Sequence, residues 1–98
     1  MINSRQRAQL RGLANGIDTI VHIGKDDVTP AVVAQTADAL KARELIKGRV
    51  LNNSMLTARE ACTILCEQCG ADPVQVIGTK FVIYKANPQK PDRIVLVK

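Results

Sequence analysis

The spacing of apolar residues changes several times along the chain, and each change predicts a new element. Leu10, Leu13 and Ala14 recur at helical spacing, predicting a helix from about Ser4 to Asn15. Ser4 is a suitable N-cap, and Asn15-Gly16 predicts a left-handed stop. Thr19-Ile20-Val21-His22-Ile23 reads as a short strand, with His22 expected on the same face as Ile20. Gly24-Lys25-Asp26-Asp27 is a loop. Thr29-Pro30 then opens a second helix, because proline at the first helical position gives up an N–H that has no partner there. Val32, Val33, Thr36, Ala37 and Leu40 form its buried face.

Glu44 to Leu51 reads as a second strand. A third helix starts at Thr57, where Glu60 completes a capping box, and its stripe is Ala58, Ala61, Cys62, Leu65 and Cys69. Gly70 ends it. Val74–Ile77 and Phe81–Lys85 are too close for a crossover and form a hairpin around Gly78-Thr79. Arg93 to Val97 is expected either as a final strand or as an extended arm. The order α-β-α-β-α-β-β predicts an α/β fold in one small domain over residues 1–98. Its core runs from about 4 to 86, with 87–98 as tail or extra strand.

Charge changes the picture more than composition does. Fourteen Lys and Arg against nine Asp and Glu leave +5, which favours a polyanionic partner such as nucleic acid or an anionic membrane surface. Phe81 and Tyr84 are the only aromatics among Phe, Trp and Tyr, which argues against long rows of stacked bases. No apolar run reaches the roughly 20 residues that span a bilayer, and polar residues 3–7 do not resemble a signal peptide. A cytoplasmic protein with reduced thiols is expected.

Candidate chemistry is thin. Cys62-x3-Cys66-x2-Cys69 has the spacing of a radical-SAM cluster loop, but such enzymes need a barrel of about 200 residues, and these cysteines lie on one helix face. Core packing is the preferred reading, with no metal and no cofactor, since no fourth ligand completes a tetrahedral site. His22 has no acid or nucleophile beside it in the sequence, and Asp26-Asp27 read as turn residues. Walker A, GxGxxG, HExxH and nucleophile-elbow motifs are absent, so an enzyme is not expected.

The cations are the informative set. Arg7 and Arg11 share a helix face, with Arg5 at the frayed start; Lys41 and Arg43 end the second helix; Lys47 and Arg49 share a strand face; Lys80 flanks the hairpin. Gly24 and Lys25 precede a helix N-terminus, where backbone N–H groups and the helix dipole suit a phosphate. Gathered into one patch, these residues would hold a nucleic-acid backbone through shape and charge rather than base reading.

Several segments together resemble the CRM domain (chloroplast RNA splicing and ribosome maturation), whose stand-alone bacterial members are YhbY-like RNA-binding proteins. They are Arg11-Gly12-Leu13-Ala14, Val21-His22-Ile23-Gly24-Lys25, Val28-Thr29-Pro30, Glu44-Leu45-Ile46-Lys47, Val74-Gln75-Val76-Ile77-Gly78 and Phe81-Val82-Ile83-Tyr84-Lys85. The resemblance implies a four-stranded mixed sheet similar to the C-terminal domain of translation initiation factor three. It also implies binding of structured ribosomal RNA, without catalysis, in precursors of the large (50S) subunit. A monomer with no small-molecule substrate and no membrane partner is expected. The family's loop reads Gly-x-x-Gly, whereas Asp27 stands here at the second glycine. Asp27 adds negative charge and lacks glycine's freedom at positive φ, which shifts the expected binding toward the basic helices and strand. The alternative is a protein-interaction module that docks on ribosomal proteins or a GTPase without touching RNA.

Overall fold

In the computed structural model, which describes residues 2–97, three helices and four strands alternate as the hydrophobic pattern predicts. They are α1 (Ser4–Ala14), β1 (Thr19–Ile23), α2 (Pro30–Arg43), β2 (Leu45–Val50), α3 (Ala58–Cys69), β3 (Asp72–Ile77) and β4 (Lys80–Tyr84). The strands form one mixed sheet in the order β1-β2-β4-β3. β1 pairs parallel with β2, whereas β4 is antiparallel to both β2 and β3. The chain is thus a small α/β domain with a four-stranded mixed sheet.

The helix starts are decided locally. The Thr29 side chain accepts from Val32 N–H, and Pro30 occupies the first turn of α2. Thr57 and Glu60 exchange reciprocal bonds of 3.1 and 2.9 Å at the start of α3. In α1 the cap is Asn3 rather than Ser4: Asn3 Oδ1 accepts from Gln6 N–H, and Gln6 Oε1 accepts from Asn3 N–H. Asparagine and serine cap almost equally well, and the glutamine three residues on favours the earlier position. α1 also ends without a left-handed residue, since Asn15 keeps a right-handed φ of −62°.

Period two in the strands divides the core between the two faces of the sheet. On one face Val21, Ile23, Ile46, Val50, Phe81 and Ile83 pack against α2 and α3, and all three cysteines belong to this layer. Gly48 lies directly over Phe81, where a Cβ would approach the ring to 2.2 Å, so only glycine lets β2 pass. On the other face Leu45, Val74, Val82 and Tyr84 pack under Leu10 and Ala14 of α1. A register shift between Thr19 and Val21 turns Ile20 toward the first layer and leaves His22 exposed on the opposite face, which corrects the expectation that the two share a side.

Glu44 is the residue that the hydrophobic pattern misplaces. It is not the first residue of β2 but the C-cap of α2, at φ +64°, and it is 1% exposed. Its carboxylate accepts from the backbone N–H of Asn87 at 2.8 Å and of Ile94 at 2.7 Å. Both oxygens are thereby satisfied by the tail, which offsets the cost of burying a charge and holding a non-glycine residue at positive φ. Residues 86–97 form an extended arm rather than a fifth strand. Ile94 and Leu96 enter the second layer, and Gln6 and Gln9 of α1 bond Val95 and Val97.

Glu44→Gln is expected to remove one of these charge-assisted bonds and to destabilise the fold by about 1.5–3 kcal/mol. Hydrogen exchange at the Asn87 and Ile94 amides should accelerate with it. Unchanged exchange at both amides would contradict the clamp.

Candidate nucleic-acid interface

The face that carries α1 is only half covered. α1 and the tail lie over Leu45, Val74, Val82 and Tyr84, and the side chains nearer the ends of β1 and β2 have no helix above them. There the pairing sets side chains from all four strands in one row. His22 is level with Arg49, Arg49 with Lys80, and Lys80 with Ile77. All four are exposed. Lys47 lies two residues from Arg49, about 7 Å along the same face. Lys47 and Lys80 line a shallow hollow with Asn15, Gln75, Ile77 and Val82.

α1 extends the cationic surface. Arg7, Arg11 and Asn15 are spaced i, i+4, i+8 and form one line along the helix. Its ends are located: Arg7 Nε donates to Pro73 O at 3.1 Å, and Asn15 borders the hollow. Arg11 lies between them and is exposed. Arg11, Lys47, Arg49 and Lys80 therefore flank one surface, and none is in an ion pair. The ion pair among the described residues is Lys90–Asp92, 2.7 Å, in the tail. No acidic side chain occurs at the row positions, so Arg49 and Lys80 reinforce one another, with Lys47 two residues from Arg49 on the same face.

The remaining cations do not all join this group. Arg5 is exposed on the first turn of α1, turned about 160° from Arg7. Lys41 and Arg43 lie at the C-terminal end of α2, next to the tail: Lys41 O accepts from Asn87 Nδ2, and Arg43 borders a groove with Lys90 and Asp92. The start of α2, which follows the Gly24–Asp27 loop, is about 20 Å away along the helix axis. Sequence spacing showed pairs within elements but not which end of α2 faces the strand cations.

The Gly24–Asp27 loop lies beyond the row, at the end of β1. Asp27 N–H closes a tight turn on Gly24 O at 2.9 Å. Asp27 adopts φ +56°, a left-handed conformation that aspartate tolerates better than most non-glycine residues, so this position takes positive φ without a glycine. Its carboxylate points inward, accepting from Ser54 Oγ at 2.6 Å and Met55 N–H at 3.1 Å. The aspartate thus ties two loops together, and Lys25 and Asp26 form the exposed tip.

The other titratable candidates lie in or against the core. Cys62 and Cys69 are buried and Cys66 is half-buried, all within α3. A hydrogen bond to Cys62, then burial, pushes the Cys66 thiol up, and burial raises Cys69. Among the described residues no cluster of three His, Cys, Asp or Glu is arranged to hold a metal ion. Burial also raises the phenol of Tyr84, which is a core residue under α1 and the tail. No described helix is long and apolar enough to cross a membrane.

This arrangement has relatives. The profile of the CRS1 / YhbY (CRM) domain matches residues 2–85. The chain belongs to the CRS1 / YhbY (CRM) domain family. "Probable RNA-binding protein YqeI" of Bacillus subtilis is 34% identical over 89 residues, covering 91% of this chain and 93% of that protein. An "RNA-binding protein" of Haemophilus influenzae is 28% identical over 88 residues, covering 90% and 89% of the two chains. The solution structure of SAV1595 from Staphylococcus aureus, described as a candidate RNA-binding protein, matches with a TM-score of 0.80 at 36% identity. That match covers 97% of this chain and 99% of the other. These CRM relatives are named for binding RNA, and none of the three carries a catalytic name.

Within this CRM domain Asp27→Ala removes both the inward bonds and a residue tolerant of positive φ, whereas Asp27→Gly removes only the bonds. The alanine variant is expected to be the less stable by about 1 kcal/mol, read as a lower melting temperature. Equal stabilities would show that the backbone conformation at Asp27 carries no cost.

Proposed function

We propose that this CRM domain is an RNA-binding protein, not an enzyme, and that it holds RNA against the uncovered half of its sheet. The observation that carries the reading is the acid-free group Lys47, Arg49 and Lys80, with Arg11 beside it. Cations on adjacent strands, none in an ion pair among the described residues, give a surface that replaces the counterions condensed on backbone phosphates. The names of the relatives support the same partner. Lys25 at the loop tip would add a contact at the end of the row. Arg7 would add one beside Arg11, and Arg5, Lys41 and Arg43 would meet only an RNA large enough to wrap beyond this face.

The finer reading is that the RNA is structured ribosomal RNA and that a monomer assists assembly of the large subunit in pre-50S particles in the cytoplasm. It rests on the family resemblance. Crosslinking in cells, with gradient sedimentation, is expected to recover large-subunit precursor RNA; recovery of unrelated transcripts would overturn it.

Lys47→Ala, Arg49→Ala and Lys80→Ala are each expected to weaken RNA binding and to lower the slope of log affinity against log salt by about one. The fold should be retained in each, because the three side chains lie outside both core layers. Lys41→Ala serves as the distant comparison and should change affinity less. Binding of full strength in all three strand variants would place the RNA elsewhere.

A further inference from the structure

The row across the sheet contains more than positive charge. Its outer strand contributes the imidazole of His22, its neighbour the guanidinium of Arg49, then come the ammonium of Lys80 and the apolar side chain of Ile77, 62% exposed. Phosphate binding accounts for Arg49 and Lys80. It does not account for a planar ring and a bare aliphatic side chain at the two ends of the row. His22 lies between the buried residues Val21 and Ile23, so its exposure follows from strand alternation and not from a frayed end. Gly48 lets β2 lie close against the Phe81 ring, so this part of the sheet is well packed from below.

Imidazole and guanidinium planes are surfaces on which unstacked bases lie. Here they stand on neighbouring strands about 4.8 Å apart, and the whole row spans about 14 Å. That width accommodates about two splayed nucleotides, with phosphates at Lys47, Arg49 and Lys80 and a base face on His22, against which the Arg49 guanidinium plane can also lie. An intact duplex presents its bases edge-on and stacked, and so leaves His22 and Ile77 without a partner. We infer that the open sheet face selects unpaired nucleotides, with His22 as the stacking residue, so that the RNA recognised has a single-stranded loop or bulge at this face. This rests on the RNA-binding reading above and extends it from backbone contact to contact with base faces.

The test compares a fluorescein-labelled single-stranded RNA of about ten nucleotides with a blunt duplex of the same length. Wild-type protein, His22→Ala, His22→Phe and Lys80→Ala are titrated with each. The wild type is expected to favour the single strand. His22→Ala should lose about tenfold on the single strand and little on the duplex, with the salt slope unchanged. His22→Phe should restore binding, because it keeps a ring without a titratable nitrogen. Lys80→Ala should weaken both RNAs and reduce the salt slope. Equal binding of both RNAs, or His22→Ala indistinguishable from wild type, overturns the stacking role while the Lys80 effect leaves RNA binding itself standing. Failure to bind either RNA, or competition by polyglutamate as strong as by the single strand, removes the RNA-binding reading and this inference with it.

Discussion

One helix cannot cover one face of a four-stranded sheet, and most of this molecule's surface follows from that mismatch. Four strands make a sheet about 14 Å wide, and the eleven residues of α1 form a rod about 16 Å long and 10 Å across. The opposite face has two helices, α2 and α3, and is closed. On the α1 face the tail supplies additional apolar cover through Ile94 and Leu96. It stays there because the buried Glu44 carboxylate accepts from both of its anchor points. The remaining area is left to water, and its residues are accordingly charged, polar or small in number when apolar.

The same geometry organises the site. Side chains that alternate along each strand are brought level by the pairing of β1, β2, β4 and β3, which turns four separate segments into one row. Among the described residues no ion pair neutralises the cations there, so their field is available to a polyanion. Exposed charges of this kind contribute little to stability, so replacing them is expected to change binding more than folding. The Gly24–Asp27 loop frames the end of this surface and is itself held by Asp27 to the loop that follows β2.

The elements whose signals lie within a few residues were readable from the chain. Thr29-Pro30, the Thr57/Glu60 box and the Gly78-Thr79 hairpin fix their own geometry, and the alternation Lys47-x-Arg49 survives folding because β2 is regular. Glu44 was not readable, since its role depends on amides 43 and 50 residues further along. The expectation that Ile20 shares a face with His22 failed because a register shift before Val21 breaks the period of two at Ile20, whereas His22 keeps it. Lys41 and Arg43 looked like part of the patch because spacing along one helix says nothing about which end faces the strand cations. The inward turn of Asp27 needed Ser54 and Met55, which local sequence does not bring near.

The account stands on the uncovered half of the sheet being the surface that RNA occupies. Backbone amide NMR of the labelled protein, titrated with single-stranded RNA, reads this residue by residue. It predicts the largest shifts at His22, Lys47, Arg49, Ile77 and Lys80, with smaller ones at Arg11 and Lys25. Shifts confined to the outer surfaces of α2 and α3, with the row unmoved, would contradict it.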